Sequence, residues 1–164
     1  IHALLQHLPG IDPGERDDVA ARWLERQAIG WSPAERRRTL EQISALLDDP
    51  VMQPLLLGEG RSEAQIAGTI QLGGQNVMVA GQIDRLVVLD EAVLVADYKT
   101  SRHVPSDVRD VPQAHVMQLA LYRALLQQIY PGEAVRCMLV WTVTATVMEI
   151  GADRMDQCLE SRYR

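Results

Sequence analysis

Residues 81–101, GQIDRLVVLDEAVLVADYKTS, set charge into a run of strand-forming apolar residues: Asp84, then Asp97 and Lys99. An ion taken away from water must be neutralised, paired or bound to a metal, so three charges in such a run mark a place where chemistry is expected. Strand side chains alternate faces, which puts Asp97 and Lys99 on one side and Tyr98 on the other. The short DEA turn brings the preceding strand alongside, and a bend there would carry Asp84 to the same end of the sheet. Two carboxylates held close raise each other's pKa unless a cation sits between them. An oxygen-rich pair with room for water suits magnesium or manganese. A metal and a lysine acting on one water make a nucleophile, and the metal also stabilises a developing oxyanion. Phosphodiester hydrolysis needs that combination, because charge grows on an already anionic phosphate. The alternative is an ordinary Asp97–Lys99 ion pair, with Asp84 merely beginning a turn.

Lys99 is the only lysine among sixteen basic residues, the others being arginine. A compact ammonium neighbours a water or phosphate oxygen in a way that a planar guanidinium does not reproduce. The lone lysine is therefore read together with its two aspartates.

The elements that must position these groups follow from periodicity. IHALLQHL has helical apolar spacing, PGIDPGE interrupts it, and RDDVAARWLERQ resumes it. WSPAERRRTLEQISALLDD is the clearest helix, with Ser32 as N-cap, Pro33 in its first turn and Glu35 closing a capping box. From about residue 61 the period changes to two, and SEAQIAGTIQL, QNVMVAGQIDRLVVLD and AVLVADYKT read as three strands joined at GGQ and DEA. The loop SRHVPSDVRDVP leads to the helix QAHVMQLALYRALLQQIY, closed by PGE. AVRCMLVWTVT is a continuous apolar run of the kind buried on both faces. A strand–helix–strand passage makes that last strand parallel to an earlier one. ATVMEI and a frayed C-terminal helix finish the chain. The expectation is an α/β fold: a mixed central sheet, made of an antiparallel three-strand meander plus a parallel strand after a crossover helix, flanked by helices. It forms one domain over 1–164, with a helical part at 1–60, the sheet and crossover helix at 61–150 and a C-terminal helix at 151–164.

Composition narrows the class. At 164 residues and 47% hydrophobic content the chain suits one domain with a substantial core. No apolar run approaches the roughly 20 residues that span a bilayer, so no membrane partner is expected and a soluble intracellular domain is. Cys137 and Cys158 form no Cys-x-x-Cys pair, which removes the usual iron–sulfur and structural zinc sites and leaves two packing residues. No phosphate loop for ATP occurs. A net charge of −6 does not advertise a nucleic-acid binder, nor does it exclude one. The opening IHALLQHL, without an initiator methionine, reads as a piece of something larger.

GQIDRL, LVADYKTS and QLALY together resemble the successive motifs of the PD-(D/E)xK nuclease superfamily in its RecB-like branch. YPGEAVRCMLVWT resembles the strand that follows them. The closer resemblance is to the C-terminal nuclease domain of AddA-type double-strand-break repair helicase–nucleases. It implies a restriction-endonuclease-like fold and Mg2+- or Mn2+-dependent exonuclease action on DNA. It implies Asp84, Asp97 and the Tyr98 main-chain carbonyl as metal ligands, with Lys99 orienting or activating the attacking water. His2 stands where that branch places a further metal ligand, while His7 has no motif support. The resemblance also implies that Gln118 and Tyr122, four apart on one helix face, border the catalytic centre and touch DNA or the water network. Glu63 is a possible additional site carboxylate, and Arg85 and Arg102 flank the motifs within reach of phosphates. The implied partners are a single strand of DNA fed by parent helicase domains and an AddB-type subunit, acting on the bacterial nucleoid in the cytoplasm. The competing reading is a nuclease-shaped module that binds DNA or a partner without cutting; retention of Asp84, Asp97 and Lys99 together favours cutting.

Overall fold

The computed structural model describes residues 2–56 and 60–164. Its N-terminal part is helical. Helix α1 spans His2–His7 and passes into a 3-10 turn at Leu8–Gly10. Helix α2 spans Arg16–Gln27 and α3 spans Pro33–Asp48. The start of α3 is fixed by its sequence: Ser32 accepts from the Glu35 N–H, and the Glu35 carboxylate accepts from the Ser32 N–H. Such a cap stabilises a helix by about 1 kcal/mol. A short helix, α4 at Gln53–Leu56, was not foreseen; it is a single turn that buries Leu55 and Leu56, and one turn carries no periodicity to detect.

Five strands follow in the spatial order of the sequence: β1 (Arg61–Leu72), β2 (Gln75–Val88), β3 (Ala92–Lys99), β4 (Ala134–Trp141) and β5 (Thr146–Ile150). β1, β2 and β3 form the antiparallel meander, β4 lies parallel to β3 after the crossover helix α5 (Gln113–Ile129), and β5 returns antiparallel. The β1–β2 turn takes Gly73 and Gly74 at φ of 54° and 76°, the left-handed values that a two-residue hairpin requires. The C-terminal segment is more regular than expected: α6 spans Ala152–Arg162 and buries Met155, Cys158 and Leu159. None of the described helices is long and apolar enough to cross a membrane.

The sheet is sandwiched. Val93 and Val95 of β3 face a core shared with Val116, Leu119 and Leu126 of α5 and Met155 of α6. Leu94, Ala96 and Tyr98 face the opposite core, with Leu4, Leu24, Ile43 and Leu55 of α1–α4. β3 and most of β4 are therefore buried on both sides. The alternation assigns Asp97 and Lys99 to the α5 side and Tyr98 to the α1–α4 side.

Candidate active site

The site begins where a ladder ends. β2 and β3 pair from Val88↔Val93 to Arg85↔Ala96 and no further. Asp84 and Asp97 occupy the next rung, where the strands part. Asp84 Oδ2 accepts the Tyr98 N–H at 2.7 Å, so a side chain takes the hydrogen bond that the ladder would have supplied. Regular pairing of β2 with β3 thus ends beside Asp84, whose side chain bridges to β3 in place of the backbone.

Asp97 lies almost wholly buried, with Oδ2 2.5 Å from Lys99 Nζ. Lys99 Nζ also donates to Gln118 Oε1 at 3.2 Å. Helix α5 therefore meets the charged strand end through Gln118, and one turn further through Tyr122, whose hydroxyl lies 3.5 Å from Gln118 Nε2 and 3.4 Å from the Gln82 carbonyl. Tyr122 lies against β2 because residue 81 is glycine: a Cβ there would collide with the Tyr122 ring and hydroxyl. The Gly-x-Ile-Asp pattern thereby acquires a packing reason, since glycine permits close approach. His115 stands three residues before Gln118 on the same face of α5. Burial pushes its imidazole pKa down, and Lys99 adds to that while Asp97 opposes it. No motif had singled it out.

From the other layer, α1 presents His2, with Nε2 3.2 Å from Asp84 Oδ1 and its ring edge-on to Tyr98 at 5.0 Å. Burial raises the Asp84 pKa above its ordinary value; the Tyr98 N–H and His2 oppose that, and Asp97 reinforces it. Glu63, exposed on β1, accepts from Gln6 Nε2 at 2.8 Å. Arg85 is not a phosphate-facing side chain: it is 5% exposed and donates to the carbonyls of Leu55 and Gly60. Arg102 and His7 are exposed. Both cysteines are buried, and burial pushes the Cys137 thiol up to about 12.

The donor set suits a hard divalent cation in kind: two carboxylates and an imidazole, gathered from β2, β3 and α1. His2 Nε2 and Asp97 Oδ2 are buried and each lacks a hydrogen bond of proper geometry, although each lies against an ion-pair partner. Such atoms are what a metal would satisfy. The groups stand as two pairs, His2 with Asp84 and Asp97 with Lys99. Among the described residues no three metal-binding side chains already form a closed cluster.

Comparison with known proteins gives an independent line. The family model of the PD-(D/E)XK nuclease superfamily matches residues 1–157. No curated protein matches the chain. A solved structure described as "Crystal structure of SSO0001" is similar over 98% of this chain and 72% of that one, at 17% identity and a TM-score of 0.40.

Proposed function

This chain belongs to the PD-(D/E)XK nuclease superfamily, and from that membership we propose that it is a metal-dependent DNA nuclease whose catalytic charges are Asp84, Asp97 and Lys99. What supports the proposal is the rung where the β2–β3 ladder ends: Asp84 and Asp97 stand there, and Asp97 pairs with Lys99, the only lysine of the chain. Asp84, Asp97, the Tyr98 carbonyl and His2 would hold Mg2+ or Mn2+. When bound, that ion supplies Lewis-acid stabilisation of the phosphorane and lowers the pKa of a water. Lys99 Nζ, steadied by Gln118 Oε1, would orient the attacking water and, as an ammonium, stabilise the negative charge that develops on the phosphate. Tyr122 and Gln118 border the path of the strand. Burial of Asp97 keeps these charges strong, because low-dielectric surroundings amplify each interaction.

The resemblance to AddA-type enzymes supports a narrower reading. In it the domain works as an exonuclease within a helicase–nuclease, beside an AddB-type partner, on single strands produced at double-strand breaks in the bacterial cytoplasm. The test compares labelled linear and circular single-stranded DNA in Mg2+, Mn2+ and EDTA. Metal-dependent loss of the linear substrate alone supports an exonuclease, and loss of both supports an endonuclease. DNA that is bound but left whole in every metal would establish the competing reading, an inactive binding module.

A further inference from the structure

Glu63 is an anomaly in a regular strand. Its φ of 53° lies in the left-handed region, which a non-glycine residue seldom occupies and which costs of order 1–3 kcal/mol. It interrupts β1 between the pairs Ser62↔Arg85 and Ala64↔Ile83, so it falls on the rung opposite Asp84. Strain of this kind persists where the surroundings impose it, and the surroundings here are helix α1. The Glu63 carboxylate takes the Gln6 Nε2–H at 2.8 Å, and the neighbouring Ser62 hydroxyl donates to the Gln6 carbonyl at 3.3 Å.

Gln6 and His2 are four apart on α1 and so share a face. That face flanks the stripe of Leu4, Leu5 and Leu8, all at most 1% exposed. The leucines set how deep the helix lies and which face meets the core, and leave the finer rotation to its polar contacts. Two polar rungs then fix the rotation: Gln6 on Glu63 from β1, and His2 on Asp84 from β2. We propose that Glu63 is a positioning residue that, through Gln6, turns α1 so that the His2 imidazole is delivered to Asp84 and to the ion held there. The inference rests on the metal reading of the site, and it assigns Glu63 a hydrogen-bonding role in place of direct ligation.

Two measurements on the full-length protein test it. The first is metal-free: in EDTA, Gln6→Ala and Glu63→Ala should shift the His2 imidazole 15N resonances alike. The exchanged pair Gln6→Glu with Glu63→Gln, which rebuilds the bond with donor and acceptor reversed, should return them. The second is Mn2+ affinity by calorimetry. Each single substitution should weaken binding about tenfold, the scale typical for groups that orient a metal ligand. The double alanine variant should be no worse than either single, the exchanged pair should recover most of the loss, and Glu63→Ala should add nothing in a His2→Ala background. Glu63→Gly, which accepts a positive φ without strain, stands in if Glu63→Ala fails to fold. Unmoved His2 resonances would overturn the proposal whatever the metal result. So would loss of Mn2+ binding in Glu63→Gln with Gln6→Ala silent, which would make Glu63 a ligand. Failure of the wild type to bind Mn2+ would instead remove the metal reading, while the resonances still decide whether Glu63 positions His2.

Discussion

Asp84 is the residue at which stability opposes the proposed chemistry. Burial raises its carboxyl pKa above the ordinary value of 3.8, so the folded protein keeps a proton that the unfolded chain has already lost. Stability therefore falls as pH rises through that window and stays reduced at neutral pH. Asparagine retains an oxygen for the Tyr98 N–H and carries no charge. In EDTA at pH 7, Asp84→Asn is expected to hold or raise the melting temperature by calorimetry. Mn2+ should raise the wild-type value by mass action and the variant's much less. Equal metal shifts in the two proteins would take Asp84 out of the metal shell. At this scale the grouping of Asp97 with Lys99 was legible, because strand alternation alone puts them on one face. Gln118 was legible only through its motif. Gln6 was invisible: its contact with Glu63 joins residues 57 positions apart, and local periodicity says nothing about such pairs. Arg85 was misplaced for the opposite reason, since an arginine flanking the Gly-x-Ile-Asp motif looks able to reach a phosphate until its burial is known.

Arg85 instead joins elements. Its guanidinium donates from β2 to Leu55 O of α4 at 3.0 Å and to Gly60 O at 3.0 Å, just before β1. The helical layer and the sheet therefore share a buried polar clasp. Arg85→Met would fill similar volume and leave those carbonyls unpaired, at about 2–4 kcal/mol. For a chain of this length that lowers the melting temperature by roughly 5–15 °C. An unchanged melting temperature would show that water replaces the clasp at no cost. Strands β1 to β4, the long helices and the parallel pairing of β4 with an earlier strand were readable from period and connection length. Helix α4 and strand β5 were not, and α6 was expected frayed although Met155, Cys158 and Leu159 stand at helical spacing and pack into the α5-side core.

The 164 residues together carry a net charge of −6, and their arginines are scattered along the chain. Affinity for DNA comes mostly from cations that displace counterions from phosphate. The 164-residue domain alone is thus expected to bind single strands weakly, with a shallow dependence of affinity on salt by fluorescence anisotropy. A strand fed by a motor would meet the site at a raised local concentration. Tight binding at physiological salt with a steep slope would reveal a concentrated basic surface and an autonomous enzyme.

If Asp97 and Lys99 cut DNA with a divalent ion, removing either side chain must abolish cleavage. The most direct measurement is the single-turnover cleavage rate of end-labelled single-stranded DNA by the full-length protein in Mg2+, with wild type, Asp97→Ala and Lys99→Ala compared at equal fold content by circular dichroism. The wild type should cleave in a way that EDTA abolishes, and each variant should lose at least about a hundredfold. An Asp97→Ala protein that cuts at the wild-type rate would contradict it.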